Sequence, residues 1–60
     1  GLSRAERREI QGLLSRLGHD IGEIDGMLGD KSRLAIQAEQ TRLGHAVNGR
    51  AGQKLLRALR

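Results

Sequence analysis

Acids, a lysine, a hydroxyl and two glycines crowd into Asp25-Gly26-Met27-Leu28-Gly29-Asp30-Lys31-Ser32, and residues of these types hold phosphates or cations in many proteins. A phosphate loop requires Gly-x-x-x-x-Gly-Lys-Ser/Thr between a strand and a helix, so that consecutive amides and the adjacent lysine wrap the anion. Here Asp30 separates Gly29 from Lys31, and no strand pattern precedes it. A calcium loop fits no better. With Gly26 at the sixth loop position, Ile21 falls first, Glu23 third, Asp25 fifth and Ser32 twelfth, and the bidentate final glutamate is missing. His19 and His45 each follow a glycine, where a histidine ordinarily serves the last carbonyls of a helix instead of catalysis. Cys is absent, which removes a thiol nucleophile, a disulfide framework and a cysteine zinc site. Paired carboxylates can cleave glycosidic bonds, but 60 residues provide no deep cleft for a sugar. The expectation is a chain with no catalytic set, no metal and no cofactor.

The stretch is then first of all a turn, and the elements it joins can be read on either side. Ser3-Arg-Ala-Glu6 fits a capping box, in which each side chain satisfies a backbone N–H left unpaired at a helix start. Ile10, Leu13, Leu14 and Leu17 follow at i, i+3, i+4 and i+7, an apolar stripe that Gly18 ends. Gly18, Gly22, Gly26 and Gly29 argue for successive tight turns, with one short helical turn near Ile24–Leu28 and Asp30 capping the next helix. From Lys31 to Leu43 there is neither Gly nor Pro, and Ser32, Ala35, Ile36, Glu39 and Leu43 share a face before Gly44. A third helix fits Gln53 to Leu59 with Leu55, Leu56 and Leu59 inward. No segment alternates with a period of two. The fold class is therefore all-α: a small bundle of three helices near residues 4–17, 31–43 and 53–59, with Ile10, Leu14, Leu17, Ile36, Leu43, Leu56 and Leu59 in the core.

One turn design occurs twice. Leu17-Gly18-His19 leads to Asp25-Gly26-x-x-Gly29-x-Lys31, and Leu43-Gly44-His45 leads to Asn48-Gly49-x-x-Gly52-x-Lys54. Asp or Asn before Gly tolerates left-handed backbone and lets a side-chain oxygen accept nearby amide hydrogens, and the later glycine gives the chain room to enter the next helix. Asp25, Gly26, Gly29, Gly49 and Gly52 are accordingly assigned to shaping the turns.

Composition narrows the partners. Phe, Tyr and Trp are all absent, so no aromatic platform can stack on a sugar or a base. A net charge of +4, from nine Arg and two Lys against seven acids, favours an anionic partner or simply solubility. The basic residues are scattered over all three helices with acids between them, unlike a nucleic-acid recognition helix. No apolar run approaches the ~20 residues that cross a bilayer, so membrane insertion is not expected.

The pattern Gln11-x-x-Leu14-x-x-Leu17-Gly18, then Gly22-x-x-Asp25-Gly26-x-x-Gly29-x-Lys31-Ser32-x-x-Ala35-Ile36, then Gln40, Gly44 and Asn48-Gly49-x-x-Gly52, resembles the peptidoglycan-binding domain 1 family from about Ser3 to Leu59. In that family a doubled Asp-Gly-x-x-Gly-Pro-Lys-Thr turn links three helices. Ser3-Arg-Ala-Glu-Arg-Arg and Ala51-Gly-Gln-Lys-Leu-Leu-Arg-Ala-Leu59 look most like C-terminal modules of lytic murein transglycosylases. The chain departs from the pattern at Asp30 and Gln53, where Pro is usual, at Asn48, where Asp is usual, at Leu55, where Thr is common, and at Glu39, where an aromatic is usual.

The resemblance implies a single domain over residues 1–60, excised from a larger cell-wall hydrolase: a monomeric, non-catalytic module that binds peptidoglycan in the periplasm or cell envelope beside an attached catalytic domain. Arg33, Gln37, Gln40, Arg42 and Asn48 are the candidate ligand contacts, the arginines for stem-peptide carboxylates and the amides for sugar or peptide groups. The competing readings are a nucleic-acid-binding or protein-interaction helical module, or a family member that has lost its ligand. Glu39 is expected at the core margin with its carboxylate in water, so that Glu39→Phe would add stability.

Overall fold

The computed structural model describes residues 1–60, in which α1 runs Arg4–Arg16, α2 Asp30–Leu43 and α3 Gln53–Leu59, with no strand. The expected capping box starts α1: the Glu6 N–H donates to Ser3 Oγ at 3.1 Å and the Ser3 N–H to Glu6 Oε1 at 2.9 Å. The Ser3 amide, with the Gln53 carboxamide behind it, holds the Glu6 carboxyl below its ordinary pKa.

Helices α1 and α2 end alike. Gly18 at φ 95 and Gly44 at φ 74 turn the chain left-handed, so that the His19 N–H reaches Leu14 O at 3.1 Å and the His45 N–H reaches Gln40 O at 2.9 Å. These contacts satisfy carbonyls that a helix end leaves open. Two expectations about the first connection fail here. Residues 18–29 contain no helical turn, and Asp30 is the first residue of α2 instead of its cap. Gly29 occupies the cap with extended backbone and no side-chain bond, which leaves the Asp30 carboxylate in the first turn, where the positive end of the helix favours it.

Ile10, Leu14, Ile21, Ala35, Ile36, Leu55 and Leu56 form the core, with Leu2, Leu13, Leu28, Leu43, Ala51 and Leu59 packed around it. Helix α1 is the central element and packs on both α2 and α3. Leu43 and Leu59, expected inside, are at the rim. Leu17, also expected inside, is 51% exposed: the helix has ended at Arg16 and Gly18 turns the chain left-handed, while Ile21 further on joins the core. Beyond the core, α3 is tied to α1 by Gln53 Nε2 to Glu6 Oε2 at 3.0 Å and by Arg60, which grips Glu9 through Nε at 2.8 Å and NH2 at 3.0 Å. No helix is long and apolar enough to cross a membrane.

Candidate functional site

Each long helix carries one glutamine that builds the turn downstream of it. In the first unit the buried Gln11 accepts the Gly26 N–H on Oε1 at 2.7 Å and donates from Nε2 to Met27 O at 3.0 Å and to Asp25 Oδ1 at 3.4 Å. Asp25 Oδ1 also accepts the Met27 N–H at 2.8 Å, and that bond is the main reason its carboxyl titrates below the ordinary range. In the second unit Gln40, also buried, accepts the Asn48 and Gly49 N–H groups on Oε1, each at 3.0 Å. It donates from Nε2 to Asn48 Oδ1 at 2.8 Å and to Arg50 O at 3.2 Å. Asn48 Oδ1 closes its own turn on the Arg50 N–H at 2.9 Å. Asp and Asn thus do one job, because only the accepting oxygen is used.

Gly26 at φ 81 and Gly49 at φ 70 lie in the left-handed region, and both bring an arginine stem close. A Cβ at either would stand 2.7 Å from the Cγ of Arg4 or of Arg33 respectively. Gly29 and Gly52 do something different: their backbones are extended, and they cap α2 and α3 as acceptors for the Arg33 and Leu56 N–H groups at 2.9 and 3.1 Å.

The structure therefore gathers Arg33, Gln37, Gln40, Asn48 and Gly49 around the second turn, with the Arg33 stem and the Gln37 amide against Gly49. Gln40 stands behind the turn with all four of its hydrogen-bonding positions used within the protein. Arg42 is not collected with the others; its Nε donates to Glu39 Oε1 at 2.8 Å, and its Nη2 lies 2.6 Å from the same oxygen as an ion pair.

Glu39 itself overturns the expectation of a hydrated margin, since it is 5% exposed. His19 meets its second oxygen at 2.7 Å. An ionised carboxylate only accepts, so Nε2 of His19 carries the hydrogen. Burial raises the Glu39 pKa, but the hydrogen bonds from His19 and Arg42 outweigh it and leave the carboxyl below its ordinary value of 4.5. A ring at this position would displace both partners. Glu39→Phe is therefore expected to lower stability by about 1–2 kcal/mol, from lost charge-assisted bonds and overpacking, the reverse of the sequence expectation. The sign with pH follows from linkage: a carboxyl whose folded pKa is depressed stabilises fully above its unfolded pKa and loses that contribution as pH falls through the folded one. In urea melts the wild type should lose more of its midpoint below about pH 4 than Glu39→Gln does. Parallel losses would show that the pair adds nothing.

Beside the second turn lies a shallow hollow of about 230 Å³, lined by Gln40, His45, Asn48, Arg50, Lys54 and Leu55 among others. Gln40 and Asn48 are among the contacts expected from the sequence, whereas Arg50 and Lys54 are not, and Gln11 has no expected role there. The signal for Gln11 was present: Arg4 precedes Gln11, and Arg33 precedes Gln40, by the same seven positions.

Residues 3–59 match a family described as "Putative peptidoglycan binding domain". Over 46 residues the chain is 35% identical to Bifunctional protein GlmU of Levilactobacillus brevis, and over 46 residues 39% identical to that of Latilactobacillus sakei subsp. sakei. Each match covers 77% of this chain and 10% of the relative, so the chain spans about a tenth of their length. In three dimensions it is similar to SltB3 from Pseudomonas aeruginosa, solved in complex with NAG-anhNAM-pentapeptide, with a TM-score of 0.91 and 41% identity, over 98% of this chain and 16% of that one.

Proposed function

This chain belongs to the family of peptidoglycan-binding domains, and on that premise we propose that it is a non-catalytic module holding an attached cell-wall hydrolase, such as a lytic transglycosylase, on murein in the periplasm or cell envelope. The observation that carries the reading is the correspondence of nearly the whole chain to 16% of SltB3, a chain solved with a muropeptide. The surface geometry agrees with a contact on a polymer. A hollow of about 230 Å³ is smaller than the ~300–1,000 Å³ pockets that engulf a small ligand, and it suits one sugar or one peptide residue of a longer strand. Arg33, Gln37 and Asn48 remain the contacts proposed from the sequence set, and Arg50 and Lys54 join them. Gln40 acts by holding the turn, and Arg42 by holding Glu39. Without an aromatic ring the contacts are polar and ionic.

The domain is expected to co-sediment with purified insoluble sacculi, to release no soluble muropeptide, and to stay behind when duplex DNA is the bait. Exposed charge pairs are screened over a Debye length of ~8 Å at 0.15 M salt, so retention should fall markedly by about twice that concentration. Retention indifferent to salt would remove the arginine contacts from the account, and muropeptide release would remove the non-catalytic claim.

A further inference from the structure

The two turns share a backbone design but differ in what closes them. In the first, Arg4 Nε donates to Asp25 O at 3.1 Å and Arg7 Nε to Gly26 O at 2.8 Å, so both carbonyls of the Asp-Gly pair are occupied from within the chain. In the second, Arg33 approaches Gly49 as Arg4 approaches Gly26, its Cγ at the same 2.7 Å from the Cβ position, yet its guanidinium makes no hydrogen bond or ion pair in the protein. The place of Arg7 is taken by Ile36, which is buried in the core. The Asn48 and Gly49 carbonyls therefore accept nothing, and the Gln37 carboxamide beside them is equally free. The first turn serves as an internal reference: it shows that this backbone accepts two N–H donors when they are supplied.

We propose that the second turn is a peptide-recognition site, in which the Asn48 and Gly49 carbonyl oxygens accept amide N–H groups of an extended peptide while Arg33, with Gln37 alongside, receives a peptide carboxylate. The inference rests on the peptidoglycan reading and deepens it, since it assigns the contact to the stem peptide and not to the glycan. Two carbonyls left open to solvent can exchange water for donors, which both sugars and peptides have, but the adjacent guanidinium selects a ligand that also carries an anion, and a planar fork favours a carboxylate. NAG-anhNAM-pentapeptide combines both halves and allows them to be compared.

The test is a titration of the ¹⁵N-labelled domain with the free pentapeptide, the intact muropeptide and the NAG-anhNAM disaccharide, beside sacculus sedimentation. Arg33→Met keeps an unbranched stem over Gly49 and removes the guanidinium; Arg57→Met removes an exposed charge of α3 as the control for net charge. The expected result is that pentapeptide and muropeptide shift the amides of residues 33–37 and 48–50, that Arg33→Met weakens both about tenfold, the loss of one charge-assisted contact, and that Arg57→Met leaves them unchanged with both variants melting as the wild type does. The proposal is overturned if the disaccharide alone reproduces the muropeptide shifts, if the two variants lose affinity equally, or if the shifts fall on residues 25–27. Wild-type sedimentation with sacculi in the absence of any peptide binding sinks only this inference. Failure to sediment sinks the functional reading, while the peptide titration still reports on the turn.

Discussion

Gln11→Leu is expected to remove a large share of the stability of this domain while changing no charge and almost no volume. The Gln11 side chain is fully buried, and Gly26, whose N–H it receives at 2.7 Å, is buried as well. Leucine would strand that N–H and give up the bond to the Met27 carbonyl, which the exposure of Met27 leaves open to water. A buried polar group left without a partner costs about 1–3 kcal/mol and a lost hydrogen bond about 0.5–1.5 kcal/mol, so the loss is about 2–4 kcal/mol. A chain of this size has only ~3–9 kcal/mol to lose, at the usual stability per residue. Gln40→Leu frees the Asn48 and Gly49 N–H groups in a more exposed turn, where water can replace the glutamine, and should cost distinctly less. Gln11→Glu adds a diagnostic, because a carboxylate can accept from Gly26 but cannot donate to Met27, and at neutral pH it would face Asp25. Its deficit should shrink on acidification. Urea midpoints decide the matter: equal losses for Gln11→Leu and Gln40→Leu would mean that the first turn is not organised by its buried amide.

Gly26→Val should be comparably severe, through the backbone this time. At φ 81 a β-branched residue is strongly disfavoured, at a cost of order 1–3 kcal/mol. The added Cβ would also stand 2.7 Å from Arg4 Cγ and 3.2 Å from the Arg4 backbone oxygen. That oxygen belongs to α1 and cannot withdraw as a side-chain tip can, so overpacking adds about 1–3 kcal/mol. At Gly49, φ 70, the close atoms are all in the flexible side chains of Arg33 and Gln37, and the cost should reduce to the backbone share. His19→Ala gives up only its bond to Glu39. The expected order of melting temperatures is therefore His19→Ala highest, Gly49→Val next and Gly26→Val lowest. Coincident values for His19→Ala and Gly26→Val would refute the proposed build of the turn.

The helices were readable because their ends are written locally. Ser3 and Glu6 cap α1 three residues apart, and Gly18 and Gly44 stand where left-handed backbone ends each long helix, so the observed bounds fall within one residue of those expected. The pairing of Asp25-Gly26 with Asn48-Gly49 was legible for the same reason. What periodicity could not show is a polar side chain whose partners arrive from across a loop. Gln11 reaches residues 14 to 16 positions onward, and Gln40 reaches 8 to 10, so the sequence shows no role for Gln11 and offers Gln40 as a ligand contact. Glu39 is the plainest instance. Arg42 is only three residues along α2, but His19 comes from 20 residues earlier, and without it a buried carboxylate had no visible compensation. Leu17 failed for the opposite reason: the stripe continued in the sequence after the helix had stopped. The candidate contacts came with the family resemblance alone; the gathering of Arg33 and Gln37 against the Asn48-Gly49 turn, like the occupation of Gln40 and Arg42 within the protein, is tertiary.

The bond from the Gly49 N–H to Gln40 Oε1, at 3.0 Å, also governs how the molecule ages. In an Asn-Gly pair the glycine nitrogen can attack the preceding carboxamide carbon, expelling ammonia and closing a succinimide that water reopens to aspartate or isoaspartate. The attack needs that nitrogen swung towards its neighbour's side chain. Here its N–H is directed at Gln40, and the Asn48 oxygen is pinned by Gln40 Nε2 at 2.8 Å and the Arg50 N–H at 2.9 Å. Deamidation at Asn48 is thereby made a property of the open turn, and the chemical lifetime of the domain becomes a measure of how seldom that turn opens.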